Sequence, residues 1–483
     1  MRENPREFLE FKAAFQLDAE SLTNYIFDIL KSHGVDYKQF LVGQGYDGAS
    51  VMSGKISGVS ARVRKEAKYA YYVHCHAHRL NLVLVDVTKG IPDAAQFFSL
   101  LEKLYVFVSG SYVHSKWIDI QKDMYPGEST RELKRLSDTR WACRVEACRV
   151  IRDRFPALTR LLEEISNEAH ADRAIDARGL LAQLNAEFLM KLVIMTNILI
   201  MTNQLSTMLQ SSEVDLAKAA DLTGALVAEL QDMRSNPQTF NRLWDEVQTS
   251  VRDQGFDVDE IDPSHRKRKR RLPKRLEEAA LLDPLPGQSR VQDEFEGQLK
   301  DKIKTKFFYQ IIDRMLSELN RRFNSETCQL MKSIQALSPR SEHFLDFGHM
   351  DGFAQMYNAN LEDLKHEVHS IKRLLERRSQ DGRELPQTLP EFVNLIQPFG
   401  EAFREIYRLA RIAVVLPVTS SACERSFSAL KLIKTFLRNS MGNARLSNLG
   451  ILSIEAERVT KLNLDLFVDE FAKKNQNRRI ILQ

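Results

Sequence analysis

Patterning that can build a sheet is confined to residues 1–90 of this chain, and that confinement limits the fold more than any other feature. Phe8 to Leu17 reads as a strand. Asp18 then caps a helix from Ala19 to Ser32, whose apolar Leu22, Tyr25, Ile26, Ile29 and Leu30 recur at helical spacing. A short apolar strand, Phe40-Leu41-Val42, runs out into Gly43-Gln44-Gly45-Tyr46-Asp47-Gly48. After a basic helix from Val59 to Lys68, Tyr71 to Cys75 forms another strand that leads into His76-Ala77-His78-Arg79-Leu80-Asn81-Leu82. Strand, helix and strand in this order require a sheet with crossover helices. From about residue 92 the strands vanish. The segments 94–109, 144–167, 174–210, 213–234, 302–324 and 361–378 carry helical periodicity. The expected class is α/β plus all-α, mostly helical overall.

Length suggests about three domain-sized units for the 483 residues. One gap, roughly 254–298, reads as a disordered basic loop: it holds Asp-Pro, Leu-Pro and Pro-Gly pairs around Arg266-Lys267-Arg268-Lys269-Arg270-Arg271. That run is a solvated loop, a phosphate contact or a nuclear import signal. The 69 basic and 65 acidic residues leave a net charge of +4, which excludes a chain that seeks polyanions as a whole. Nucleic-acid contact must therefore come from local patches. Five scattered cysteines, with no signal peptide, read as reduced intracellular thiols. The longest apolar run, Phe188 to Met201, is short for a membrane span and carries Lys191 and Asn197, so it reads as a buried helix of a soluble protein. No membrane partner and no small-molecule substrate are expected.

Two carboxylates stand where chemistry is conceivable. Gly43-Gln-Gly-Tyr-Asp-Gly48 fits the dinucleotide fingerprint in letter only: Asp47 would repel a pyrophosphate, and Glu66, at the distance expected of the acidic partner, lies in a basic helix. What remains is an aspartate at a strand's end, suited to hold Mg²⁺ or to serve an Asp-Gly turn. Glu424 lies in Leu416-Pro-Val-Thr-Ser-Ser-Ala-Cys-Glu-Arg-Ser-Phe-Ser428 and follows Ser421 by three, the spacing of a capping box. It either caps its helix or completes a carboxylate set that binds metal for phosphoryl chemistry. His74, Cys75, His76 and His78 crowd together in a way unlike paired zinc ligands. Arg140-Trp141 sets a cation beside an aromatic, a pair that can hold a phosphate and stack a base, although a Trp opening a helix is more often core. Leu446, Leu449, Leu452 and Ile454 form an apolar helix face near the C-terminus.

Four ordered blocks resemble the hAT superfamily of DNA transposases and their domesticated relatives, especially the zinc finger MYM-type-like group. They are Gly43 to Gly54, His74 to Leu82, Leu136 to Trp141, and Leu416 to Ser428 with its continuation Leu446 to Ile454. The resemblance implies a partial ribonuclease-H-like core (1–90), a long helical insertion (91–400), and the end of the core with the hAT C-terminal dimerisation region (401–483). By the same resemblance Asp47 and Glu424 are the second and third carboxylates of a D-D-E triad, with Mg²⁺ as cofactor if the site is active and none otherwise. Cys75 and His78 match a C-x-x-H motif. Arg140 and Trp141 match an Arg-Trp motif implicated in handling a flipped base. Leu446, Leu449, Leu452 and Ile454 fall in the dimerisation region.

The family's first Asp has no counterpart before Asp47, since Asp18 caps a helix and Asp36 lies in the next loop. The family's N-terminal zinc finger is likewise not found. The expectation is therefore an N-terminally truncated, non-catalytic nuclear protein that forms homo-oligomers through its C-terminal region, with DNA as a further partner. The alternatives are an active Mg²⁺-dependent transposase whose start lies further upstream, and a domesticated transcriptional regulator.

Overall fold

The computed structural model describes residues 7–136, 141–211, 216–256, 299–323, 326–435, 438 and 440–474. The described chain is mostly helical, with two short strands, and divides into two compact units. One gathers residues 1–75, 212–217 and 332–483, the other 76–211 and 218–331. Most of the expected basic loop, including Arg266 to Arg271, lies outside the described residues.

In the first unit the helix Ala19–Ser32 has the bounds its periodicity predicts. The Asp18 carboxylate accepts the Glu20 and Ser21 N–H groups, filling two of the donors a helix start leaves open. Phe27 of this helix stacks on Tyr37, ring centroids 4.1 Å apart. Around them Val59, Val63, Ala67 and Ala70 close a small buried core. Against that core lies a two-stranded parallel sheet, β1 (Gly43–Tyr46) and β2 (Tyr71–His74), with Gly43 opposite Tyr71 and Tyr46 opposite His74. Parallel strands need a crossover, and the helix Val59–Glu66 supplies it.

Two expectations are corrected here. The strand does not occupy Phe40-Leu41-Val42; Tyr37–Phe40 is a helical turn capped by Asp36, and the glycine-bearing segment itself is β1. Nor is Phe8 to Leu17 a strand. Residues 7–17 form no regular element, and their backbone bonds to the C-terminal helices instead. The Phe8 N–H donates to Glu455 Oε1 at 3.0 Å and the Phe11 N–H to Ser447 Oγ at 3.1 Å. Apolar spacing that suits a sheet is met here by the surface of a helix, where Phe8 and Phe11 lie over Gly450.

The rest of this unit is helical: Phe347–Met356, Leu361–Gln380, Leu389–Ile396, Arg404–Val415, Ser421–Ile433, Asn443–Ile454, Ala456–Val459 and Leu464–Lys474. One joint shows how these helices are fixed. The buried Glu367 carboxylate accepts the Glu405 and Ile406 N–H groups at 3.2 and 2.8 Å, capping the helix Arg404–Val415 from its neighbour. Burial, opposed by these two bonds, raises the Glu367 pKa.

The second unit is built around Ala186–Leu209, 24 residues long and apolar enough, by length and composition, to cross a membrane. Inside the unit 67% of its most apolar window is buried, against Trp141–Asp153 and Pro237–Asp253 among others. It is thus a core helix, longer than the run from Phe188 to Met201 that marks it in the sequence. Lys191 on it pairs with Glu187 at 2.9 Å. The single helix expected over 144–167 is two, Trp141–Asp153 and Phe155–Ser166, because Pro156 suits only a helix's first turn. The stretch 174–210 is likewise divided, where Asn185 accepts the Phe188 N–H at 3.0 Å and starts a new helix.

Candidate functional site

The ends of both strands meet the segment that leads to Glu424. A Cβ added at Gly43 would come within 2.6 Å of Leu416 Cδ2, and one at Gly45 within 2.7 Å of Pro417 Cβ. The glycines are therefore required by the crossing of Leu416-Pro417, and a nucleotide phosphate has no part in explaining them. Gln44 between them is buried and donates through Nε2 to the Ser60 and Ala70 carbonyls at 3.0 and 2.8 Å, tying β1 to its crossover. Gly48 is similarly pinned, since a Cβ there would stand 2.6 Å from the His74 ring.

Cys75 is the joint of this arrangement. It is buried, its N–H donates to the Tyr46 carbonyl at 2.9 Å, and its Sγ accepts the Ser420 N–H at 3.2 Å. The Thr419 hydroxyl lies 3.4 Å from the same sulfur. One thiol thus links the ends of β1 and β2 to the start of the Glu424 helix. The Cys423 thiol, on that helix, is pushed up in pKa by desolvation and by the nearby Cys75 thiol.

Asp47 sits one residue past β1, exposed, with Oδ1 accepting the Ala49 N–H at 3.3 Å. It therefore serves the Asp-Gly turn and still presents a carboxylate at a strand's C-terminal end. Glu424 is exposed in the first turn of Ser421–Ile433. Its capping-box role is corrected: the N-cap is Ser420, without a side-chain cap bond, and the Thr419 hydroxyl accepts the Ser421 N–H at 3.1 Å. Ser421 is already the first helical residue and buried, which places Glu424 one position too far along for the box.

Of the other sequence-marked residues, His78 lies in the first turn of His76–Gly90, in the second unit, whereas Cys75 closes the first. His76 is buried and stacks on Phe323 at 5.8 Å. Trp141 opens the helix Trp141–Asp153, and Arg140 lies outside the described residues. The four apolar positions of Asn443–Ile454 do not share one exposure. Leu446 is buried at 6%, Leu449 and Ile454 are half-buried, and Leu452 is 51% exposed. At 100° per residue the four spread over more than half the helix circumference, so Leu446 anchors the helix while Leu452 faces outward.

Sequence reasoning missed two participants: Pro417 as the cause of the glycines, and the Phe8–Phe11 segment on the C-terminal helices. Thr419 and Ser420 were both among the cap candidates that the hydroxyl run Thr419-Ser420-Ser421 offers. Pro417 was readable only with the two motif blocks side by side. The Phe8–Phe11 segment was hidden by strand-like spacing.

Two family matches fall on this geometry. Residues 372–457 match the hAT family C-terminal dimerisation region, and residues 5–58 match the ZMYM1/FAM200 RNase-like domain. The two matches fall in the order the chain's motif blocks imply. Among individual proteins it is similar to the 52 kDa repressor of the inhibitor of the protein kinase. The Mus musculus protein is 25% identical over 98% of this chain and 60% of its own length; the Homo sapiens protein is 25% identical over 97% and 59%. The chain thus spans about three fifths of the length of these relatives.

Proposed function

We propose that this chain is a transposon-derived, non-catalytic nuclear protein of regulator type, whose retained activity is the pairing of two copies through its C-terminal helices. One observation carries the reading. Inside and just beyond the span that matches the dimerisation region, large apolar side chains are exposed: Leu432, Leu452, Leu464, Leu466 and Phe467. Several large apolar side chains left exposed in one stretch of sequence favour an interaction site. The repressor name of the relatives supports the regulator reading, and the basic run Arg266–Arg271 with the Arg140-Trp141 pair supports nuclear residence and DNA contact.

The finer architecture in this proposal is a partial ribonuclease-H-like core that joins β1, β2 and the Glu424 helix around a helical insertion. Asp47 and Glu424 are oxygen donors of the kind Mg²⁺ prefers, and both are exposed beside one joint. Upstream of Asp47, Asp18 and Asp36 accept backbone N–H groups as helix caps and Asp28 lies within the helix Ala19–Ser32; none of them is taken as the third ligand in this reading. Two carboxylates under-coordinate a metal pair. When purified chain is incubated with Mg²⁺ on hairpin and terminal-repeat DNA, no strand scission is expected. Robust cleavage abolished by Glu424→Gln would select the transposase reading. Self-association is tested by mixing two differently tagged copies. Capture of one with the other is the expected outcome, and failure to co-purify at micromolar concentration overturns pairing.

A further inference from the structure

A second cluster of ligating side chains lies away from Asp47 and Glu424. In His343-Phe-Leu-Asp346-Phe-Gly-His349, one donor atom from each of His343, Asp346 and His349 lies within 4.8 Å of the other two. The two imidazoles stack at 3.9 Å with their planes 13° apart. His349 Nδ1 is 3.0 Å from Asp346 Oδ2, while Asp346 Oδ1 accepts the Gly348 N–H at 2.8 Å. Glu342 Oε1 adds a second carboxylate 3.3 Å from His343 Nε2.

The turn that carries these groups is fixed from below. Leu345 takes a left-handed φ of 57°, an unusual conformation for a side chain of its size, and is held there by burial and by its N–H bond to the Ala336 carbonyl at 2.8 Å. Phe344 packs edge-to-face on Phe392 at 5.2 Å. Both anchors sit between the first two ligands. The donors therefore stand on a preformed loop whose side chains need only close by about 1 Å to reach the ~2 Å bonds of a four-coordinate ion.

We infer that His343, Asp346 and His349 form a surface site for a zinc-class divalent transition metal, with water or Glu342 in the fourth position. Two imidazoles and one carboxylate suit Zn²⁺, whereas Mg²⁺ takes oxygen ligands and keeps its waters. The plainer account is that Asp346 caps the helix Phe347–Met356 and His349 merely bonds to the cap. That account explains Asp346 and His349 but not why His343 brings a third donor atom within 4.8 Å of both.

The test is calorimetric titration of the metal-free full chain with Zn²⁺, repeated on His349→Ala, His343→Ala and Asp346→Asn. The last keeps a competent cap and removes only the anionic donor. The expected result is one equivalent of Zn²⁺ whose affinity falls at least tenfold in each variant while circular dichroism is unchanged, with excess Mg²⁺ failing to compete. Zinc binding of equal stoichiometry and affinity in all three variants overturns the inference, as does no binding by the native chain.

Discussion

At Gly45 one missing methyl group decides whether two distant parts of the chain can meet. A Cβ there would stand 2.7 Å from Pro417 Cβ and 2.9 Å from its Cγ, and a proline ring cannot swing aside. Gly45→Ala is therefore expected to destabilise the chain by about 1–3 kcal/mol, the usual cost of overpacking. Pro417→Ala in the same chain should recover part of that loss, a non-additivity that denaturant unfolding of the two single variants and the double variant reads directly. This pairing also shows why the two motif blocks occur together: the glycines and the Leu-Pro are two sides of one contact. Cys75 then fixes the geometry by accepting the Ser420 N–H, so the position of Glu424 rests on neutral contacts formed before any metal is considered.

On the proposed reading, the C-terminal helix Asn443–Ile454 carries a folding residue and a pairing residue on different faces. Leu446→Ala removes a buried side chain and should cost about 2–4 kcal/mol. Leu452→Asp changes an exposed one, so stability should stay within about 0.5 kcal/mol while self-association weakens. In the second unit, the helices His76–Gly90 and Tyr309–Phe323 are joined by an ionic cluster of Asp86, Glu318, Arg321 and Arg322. Desolvation raises the Asp86 pKa, but bonding from Arg322 outweighs it and leaves the carboxyl below its usual range. A carboxylate depressed on folding contributes stability above its unfolded pKa, near 3.9, and loses it as pH falls through the folded value. Asp86→Asn should accordingly cost about 1–2 kcal/mol at neutral pH, and the gap from the native chain should narrow below about pH 4. Thermal melts across pH 3–7 check both.

Which of these elements could be read in advance follows from what holds each in place. The helix Ala19–Ser32 was fully legible because its cap and its apolar stripe are local. Strand β2 was legible for the same reason, its Tyr-Tyr-Val run having intrinsic strand preference. Strand β1 was not, since Gly-Gln-Gly has poor strand propensity and is held extended by long-range partners, its ladder with β2 and the Leu416-Pro417 segment packed on it. The segment from Phe8 misled in the opposite sense. Its apolar spacing is real, but it is spent on a helix groove lined by Ser447, Gly450 and Glu455. At the site, the positions of Asp47 and Glu424 at element ends and the capping hydroxyls before Glu424 were legible, while the Cys75 thiol's bond to the Ser420 N–H was not.

For the whole molecule, the account rests on a match to a dimerisation region over residues 372–457 and on the apolar side chains exposed in and beyond it. Burying such surface is the favourable term in association, and Leu452, Leu464 and Phe467 stand exposed among the described residues. If pairing is the retained activity, mutations at the Asp47 and Glu424 positions should leave it intact, and mutations on the outward C-terminal face should remove it. The most direct measurement is the solution mass of the full chain by light scattering coupled to size exclusion, with Leu452→Asp alongside. A mass near twice 55.6 kDa that falls toward 55.6 kDa in the variant is the result this account predicts. A native chain that stays at 55.6 kDa at tens of micromolar contradicts it.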